Sequence, residues 1–303
     1  MDIKKHIFRA YDIRGIYPND LNEEAFSLIG QALGKRITEN SNTPKVCVCM
    51  DGRVSGPTLK RSLVKGLTKM GVDVIDIGML PTPLLYYSLQ KLNIDNGLMI
   101  TGSHNPASYN GIKMVINKKT LFDDHILDIY KSILIDNFDG HAAEGKIIFN
   151  NTILGNYIKD IKDDIRIESK FKICIDCGNG VTGAITRKIF DSLNVNFEII
   201  YEDVDGNFPN HPPDPTNEEN LSDLKKSIID NNADFGFAYD GDGDRICVVT
   251  SDGKILWPDQ LLMLYSRSIL KKSPKGKIVY DIKCSKHVEK EITRYGGVPI
   301  LSR

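Results

Sequence analysis

Three tracts of this 303-residue chain share one plan: Lys45-Val-Cys-Val-Cys-Met-Asp51, Lys172-Ile-Cys-Ile-Asp176 and Lys277-Ile-Val-Tyr-Asp281. Each is a short apolar run that ends in aspartate and runs into a polar or glycine-rich turn. Such runs read as strands buried on both faces of a parallel sheet. The stretches downstream of the first two are also alike. After Asp51 the pattern gives a helix (57–70), a strand (72–77), a second helix (about 82–92) and a strand (97–100). After Asp176 it gives a helix (about 183–193), a strand (195–200), a helix (about 218–231) and a strand (234–239). Strands alternating with helices predict repeated three-layer α/β domains with mostly parallel, mixed sheets.

The third repeat is expected to be incomplete. It has a strand at 277–281, a helix at about 285–295 and a strand at 298–301, and the chain reaches Arg303 before a third strand. The expected division is a first domain over 1–138, a linker over 139–150, a second domain over 151–253 opening on a bridging helix, and a partial third domain over 254–303.

The bulk properties exclude several classes of protein. Hydrophobic content of 41% and charged content of 26% are those of a globular chain, and 39 basic against 40 acidic side chains give a net charge of -1. Nothing global attracts nucleic acid or an anionic membrane. No apolar run approaches the roughly 18 residues needed to span a bilayer, and the start lacks a signal-peptide core. Six cysteines are too few for a disulfide framework. Cys174 and Cys177 share a strand but face opposite sides of it, which favours buried, reduced thiols over a shared metal. A cytoplasmic location is expected.

The chemistry stands at the carboxyl end of the third strand in each of the first two repeats, where open α/β sheets place ligands. The first loop is Thr101-Gly-Ser103-His104-Asn105-Pro106, a hydroxyl on a sharp turn. Alone it could be only a turn, since glycine, serine, asparagine and proline are common turn residues. The second is Asp240-Gly-Asp242-Gly-Asp244-Arg245. Alternate residues of an extended segment face one side, so three carboxylates can converge on a hard cation, and an oxygen-only set suits Mg²⁺ better than zinc. A calcium EF-hand would need glutamate at the twelfth loop position, where Ser251 stands. A nucleophilic hydroxyl and a magnesium cage in equivalent loops point to phosphoryl transfer. Ser103, if phosphorylated, would add an oxygen ligand to a metal held by Asp240, Asp242 and Asp244, with Lys113 and Arg245 facing the phosphoryl oxygens.

Two polar turns could grip further phosphate: Phe8-Arg9-Ala-Tyr11-Asp-Ile-Arg14-Gly15, and Asp51-Gly-Arg53 with Ser55-Gly56 before a helix N-terminus. A solvated surface strand is the plain alternative for the first. The segment 202–216, with four prolines, is a long loop or a cover over the sheet edge, and His211 within it is assigned no chemistry. Thr216 and Glu219 suggest a capping box for the next helix.

Taken together these residues resemble the α-D-phosphohexomutase family, most nearly its bacterial phosphomannomutase/phosphoglucomutase branch. The resemblance rests on residues 8–15, 51–57 (Asp-Gly-Arg-x-Ser-Gly-Pro), 78–83 (Gly-Met-Leu-Pro-Thr-Pro), 101–106, 109–113 (Tyr-Asn-Gly-Ile-Lys), 176–180 (Asp-Cys-Gly-Asn-Gly) and 240–245, in family order. It implies a phosphoserine at Ser103 and Mg²⁺ on Asp240, Asp242, Asp244 and the serine. His104, Lys113 and Arg245 fall at catalytic positions, and Tyr11, Arg14 and Lys283 at substrate contacts. The implied activity interconverts hexose 1- and 6-phosphates through a hexose 1,6-bisphosphate, which is also the activator. The family's sugar-selecting and phosphate-gripping C-terminal loops are not in this sequence, so the chain reads as a fragment from which full mutase turnover is not expected. A magnesium-dependent sugar phosphatase and a non-catalytic remnant that binds phosphosugars or a partner remain open on the sequence alone.

Overall fold

The alternation of apolar runs with amphipathic stretches sets the order of elements in the computed structural model, which describes residues 3–41, 43–135, 138, 143–168 and 170–302. The first unit opens with β1 (Ile13–Ile16) and α1 (Glu23–Thr38), the latter capped by Asn22, whose side chain accepts from the backbone of Ala25 at 2.9 Å. β2 (Lys45–Met50), α2 (Gly56–Lys69), β3 (Asp73–Met79), α3 (Thr82–Leu92) and β4 (Gly97–Ile100) come next, as the pattern predicts. β5 (Tyr109–Ile116), β6 (Lys119–Thr120), α4 (Asp124–Ile135) and β7 (Ile147–Phe149) complete it. The strands form one sheet in the order β1-β5-β4-β2-β3-β7, with β6 on β5. β7 lies inside the segment expected to be a linker: residues 147–149 pair with 74–76 of β3, because an uncovered β3 edge would leave its backbone groups unpaired. Residues 139–142 of that segment lie outside the described residues.

The second unit contains α5 (Ile153–Asp164), β8 (Lys172–Asp176), α6 (Gly183–Ser192), β9 (Asn196–Ile200), α7 (Ser222–Asp230), β10 (Phe235–Tyr239), β11 (Ile246–Thr250) and β12 (Ile255–Leu256). Its sheet runs β12-β11-β10-β8-β9. The parallel trio β10-β8-β9 repeats β4-β2-β3, and antiparallel β11 flanks β10 as β5 flanks β4. The two chemical loops therefore leave structurally equivalent strands. After it come α8 (Pro258–Lys272), β13 (Lys277–Asp281), α9 (Lys286–Arg294) and β14 (Val298–Ser302), where β13 and β14 form a separate parallel pair.

Strand periodicity builds the layers. In β2, Val46 and Val48 face the core under α1, α2 and α4, while Cys47 and Cys49 face the core under α3. In the second unit Cys174 packs with Leu224 and Ile228 of α7, and Cys177 with Ile173 and Ile175 on the other face. The two thiols share no site, and burial pushes the Cys177 thiol up to about 12.

The core beneath α3 is not confined to the first unit. Ile153 of α5 and Ile185 of α6 are buried in it against Leu84 and Leu85. Each such side chain contributes roughly 2 kcal/mol on leaving water. Tyr87 of α3 also stacks edge-on against Tyr157 at 5.0 Å and donates to Asp160 at 2.7 Å. This shared core sets how the two sheets meet, and so the gap between their loops. Among the described residues no helix is long and apolar enough to cross a membrane.

Candidate active site

β4 delivers the serine loop, and a buried arginine from the turn after the neighbouring strand β2 shapes it. Ser103 takes a left-handed backbone conformation (φ 49°), which costs a non-glycine residue about 1 kcal/mol or more and needs outside support. Arg53 supplies that support. Its Nη1 donates to the carbonyls of Pro106 (2.6 Å) and Tyr109 (2.9 Å), and Nη2 to those of Ser103 (2.8 Å) and Asn105 (2.6 Å). Its Nε donates to Asp51 at 3.1 Å, and Asp51 also accepts from Thr101 Oγ1 (2.7 Å) and Gly102 N (3.2 Å). Arg53 is 1% exposed, so the expectation that this turn grips an anion is corrected: its guanidinium builds the serine loop.

β10 delivers the carboxylates. Asp240 and Asp242 are buried and Asp244 is exposed, and one oxygen from each lies within 4.8 Å of the others. Asp240 Oδ1 accepts from the backbone N–H groups of Asp244 and Arg245, both at 3.0 Å, and Oδ2 accepts from Ser103 Oγ at 2.8 Å. Asp242 Oδ2 accepts from Lys113 Nζ (2.6 Å) and Thr82 Oγ1 (2.5 Å), and Lys113 also donates to Asp244 at 2.5 Å. Asp242 Oδ1 is buried with no partner.

The electrostatics come from this crowding. Burial, then the neighbouring Asp242 and Asp244 carboxylates, push Asp240 well above the usual carboxylate range. Burial also works against ionised Asp242, but the Lys113 ammonium outweighs it and holds this carboxyl below its usual range. Lys113 is raised, because the two carboxylates it touches outweigh its own burial. An oxygen-only donor set with an orphaned buried carboxylate oxygen and uncompensated negative charge fits a hard divalent cation such as Mg²⁺.

Above the carboxylates is a cavity of about 560 Å³ lined by Tyr11, Arg14, Ser103, His104, Lys113 and Arg245, with Arg9 and Asp244 at its wall. Arg14 is buried, ion-paired with Asp12 and hydrogen-bonded to the Gly102 carbonyl at 2.6 Å, while its Nε has no partner. His104 Nδ1 lies 2.9 Å from Asp214 of the second unit. Lys283 is not brought here. It lines a separate cavity with Asp259, Asp281 and Cys284, its side chain is 84% exposed, and its ammonium lies 3.6 Å from Asp281. The physical reason is that β13 belongs to a separate two-stranded sheet, so packing of the first two units does not place its loop.

Local sequence reading misses Thr82, Asp214 and the true role of Arg53. A threonine between two prolines at a helix start (Pro81-Thr82-Pro83) was the signal for the first. The long 202–216 loop is more than an edge cover. Gly206 packs on the 52–54 backbone, Phe208 lies 5.1 Å from the Arg53 guanidinium, and His211 pairs with buried Asp176 at 3.1 Å. The cap there is Asn217, which accepts from Glu219 N at the start of a 3-10 turn (Glu218–Leu221) that leads into α7, while Thr216 spends its hydroxyl on Asp214.

Known proteins share this architecture. Residues 5–138 match the family described as phosphoglucomutase/phosphomannomutase, alpha/beta/alpha domain I, and residues 155–253 match domain II of the same family. The phosphomannomutase/phosphoglucomutase of Pseudomonas syringae pv. tomato is 44% identical over 97% of this chain, and a phosphoglucomutase of Neisseria meningitidis serogroup B is 39% identical over 99% of it. The chain spans 63% and 65% of the lengths of these two relatives. The crystal structure of a phosphoglucomutase/phosphomannomutase family protein from Burkholderia thailandensis superposes with a TM-score of 0.94 at 37% identity, covering 100% of this chain and 67% of that one. The two matched family domains, the identity over nearly the whole chain and the overall superposition agree: the chain belongs to the phosphoglucomutase/phosphomannomutase family.

Proposed function

We propose that this chain carries the phosphoserine and magnesium machinery of a phosphohexomutase of the phosphomannomutase/phosphoglucomutase type. The observation that carries the reading is the contact of Ser103 Oγ with Asp240 at 2.8 Å, at the floor of a cavity lined by the cations Arg14, Lys113 and Arg245. Asp240, Asp242 and Asp244, with the serine oxygen, would hold Mg²⁺, which when bound polarises the phosphoryl group and offsets its charge. Arg53 and Asp51 hold the loop so that Ser103 meets the cavity in one geometry. Arg14, with an unpaired buried Nε, and Arg245 supply donors to phosphate oxygens.

In the forward step the phosphoryl group leaves Ser103 Oγ as a bond forms from phosphorus to a hydroxyl oxygen of a hexose phosphate. The hydroxyl gives up its proton, Ser103 ends as the alcohol, and the product is the bisphosphate. After reorientation the bisphosphate returns its other phosphoryl group to Ser103, so atoms and charge balance over the cycle. Sugar phosphates are the substrates and partners in this reading, and hexose 1,6-bisphosphate is the activator that loads the serine.

Incubation with labelled glucose 1,6-bisphosphate tests the proposal. The chain is expected to take up label on Ser103 and the Ser103→Ala variant none. Label persisting in the alanine variant places the nucleophile elsewhere.

A further inference from the structure

We infer that Asp214 is a positioning residue for His104, holding its imidazole so that Nε2 accepts a hydrogen bond from the sugar hydroxyl in the Ser103 cavity. The inference deepens the phosphoryl-transfer reading and rests on it. His104 comes directly after Ser103 on the turn and lines the same cavity, and its Nδ1 lies 2.9 Å from Asp214 Oδ2. The carboxylate is a pure acceptor at neutral pH, so the proton in this contact belongs to Nδ1. In the neutral ring that leaves the lone pair on Nε2, since the bond made by one ring nitrogen decides the state of the other. Among the described residues Nε2 has no hydrogen-bond partner.

Asp214 is itself immobilised. Its Oδ1 accepts from Thr216 N (3.1 Å) and Thr216 Oγ1 (2.7 Å), its carbonyl accepts from Asn220 Nδ2 (2.8 Å), and its N–H donates to the Pro212 carbonyl (2.8 Å). The loop that carries it is seated across the first unit. The Phe208 ring covers Arg53, and a methyl group on Gly206 would lie 2.5 Å from the backbone nitrogen of Val54. The residue that orients His104 is therefore brought by the second unit and seated on the arginine that shapes the serine loop. The pair exists only while the two units are docked.

Asp214→Asn is the diagnostic variant. Thr216 presents two donors to one side-chain oxygen, so the amide nitrogen must face His104 Nδ1 and drive the ring proton to Nε2. Transfer from phospho-Ser103 to glucose 1-phosphate is expected to slow by about tenfold or more, the range typical of losing such a supporting partner. His104→Ala should slow it to a similar degree, and the double variant no further, because the two act as one unit. In the ¹⁵N spectrum of the wild-type histidines, with His104 assigned by its loss in His104→Ala, the neutral form of the ring should carry its proton on Nδ1 and not on Nε2. A neutral ring with its proton on Nε2, wild-type transfer by Asp214→Asn, or multiplicative loss in the double variant overturns the inference. Should Asp214→Asn not fold, the wild-type spectrum alone decides. If the wild-type chain takes no label from glucose 1,6-bisphosphate, the phosphoryl-transfer reading fails instead, and the spectrum still tests whether Asp214 sets the ring.

Discussion

A methyl group on Gly102 would lie 2.3 Å from the guanidinium carbon of Arg53. The serine loop and the arginine are thus in direct contact, and no side chain fits between them. Four loop carbonyls depend on the two Nη groups of this one residue.

Replacing Arg53 with lysine keeps the charge but loses the planar fork. One ammonium cannot serve four fixed carbonyls and Asp51 together, and buried acceptors left without donors cost about 1–3 kcal/mol each. Arg53→Lys is expected to lower stability by roughly 3 kcal/mol and to reduce labelling of Ser103. The midpoint of urea unfolding measures the first effect, and an unchanged midpoint would show that water replaces the fork.

Asp242→Asn removes the carboxylate whose Oδ1 is buried and unpartnered. Mg²⁺ affinity, measured by calorimetry on the unphosphorylated chain, should fall tenfold or more, on the order of 1.4 kcal/mol. Equal affinity in the two proteins would sink the metal assignment without reference to activity.

Gly241 and Gly155 should respond oppositely to alanine. A Cβ on Gly241 would sit 2.5 Å from the Ser103 carbonyl, so Gly241→Ala forces the two loops apart and should cost about 1–3 kcal/mol. Gly155 lies inside α5 with open space where its Cβ would go, so Gly155→Ala should add about 0.5–1 kcal/mol. Thermal unfolding of the pair checks both signs. A Gly241→Ala variant as stable as the wild type or more so would mean that the close approach of the loops is not what Gly241 preserves.

His211 should make stability depend on pH. Burial disfavours its charged form, but the hydrogen bond and charge of Asp176 outweigh this and raise its pKa above the ordinary value. The folded chain therefore holds this proton more tightly than the unfolded chain. The stabilisation is fully present below about pH 6.5 and is lost as pH rises through the raised folded value. The stability difference between wild type and His211→Gln should accordingly shrink on going from about pH 6 to pH 8.5. A difference independent of pH would mean that the pair forms with a neutral ring.

The sequence by itself determined the strand-helix repeats, the loops at the ends of β4 and β10, and the clustering of three aspartates in one of them. Period-two alternation sorts Cys47 from Val48 and Cys174 from Cys177, but Asp240, Asp242 and Asp244 converge because residues 240–244 turn, with Gly243 N donating to the Asp240 carbonyl at 3.0 Å and Gly243 at φ 71°, and not because the segment is extended. The sequence also marked Arg53 as unusual, but local spacing gave the wrong partner, since the carbonyls that Arg53 serves come 50 to 56 residues later. Only tertiary structure decided that Ser103 meets Asp240 across 137 residues, that Thr82 meets Asp242 across 160, and that Asp214 meets His104 across 110. Those contacts arise from how α3, α5 and α6 share one buried core around Leu84, Leu85, Ile153 and Ile185. Hydrophobic pattern says that such faces will be buried, but not against which partner or at what angle, because burial is non-directional and side-chain fit selects the docking. Lys283 shows the same limit from the other side: its local motif matched, but among the described residues the strand before it, β13, pairs with β14 alone, and Lys283 lines a cavity apart from the serine.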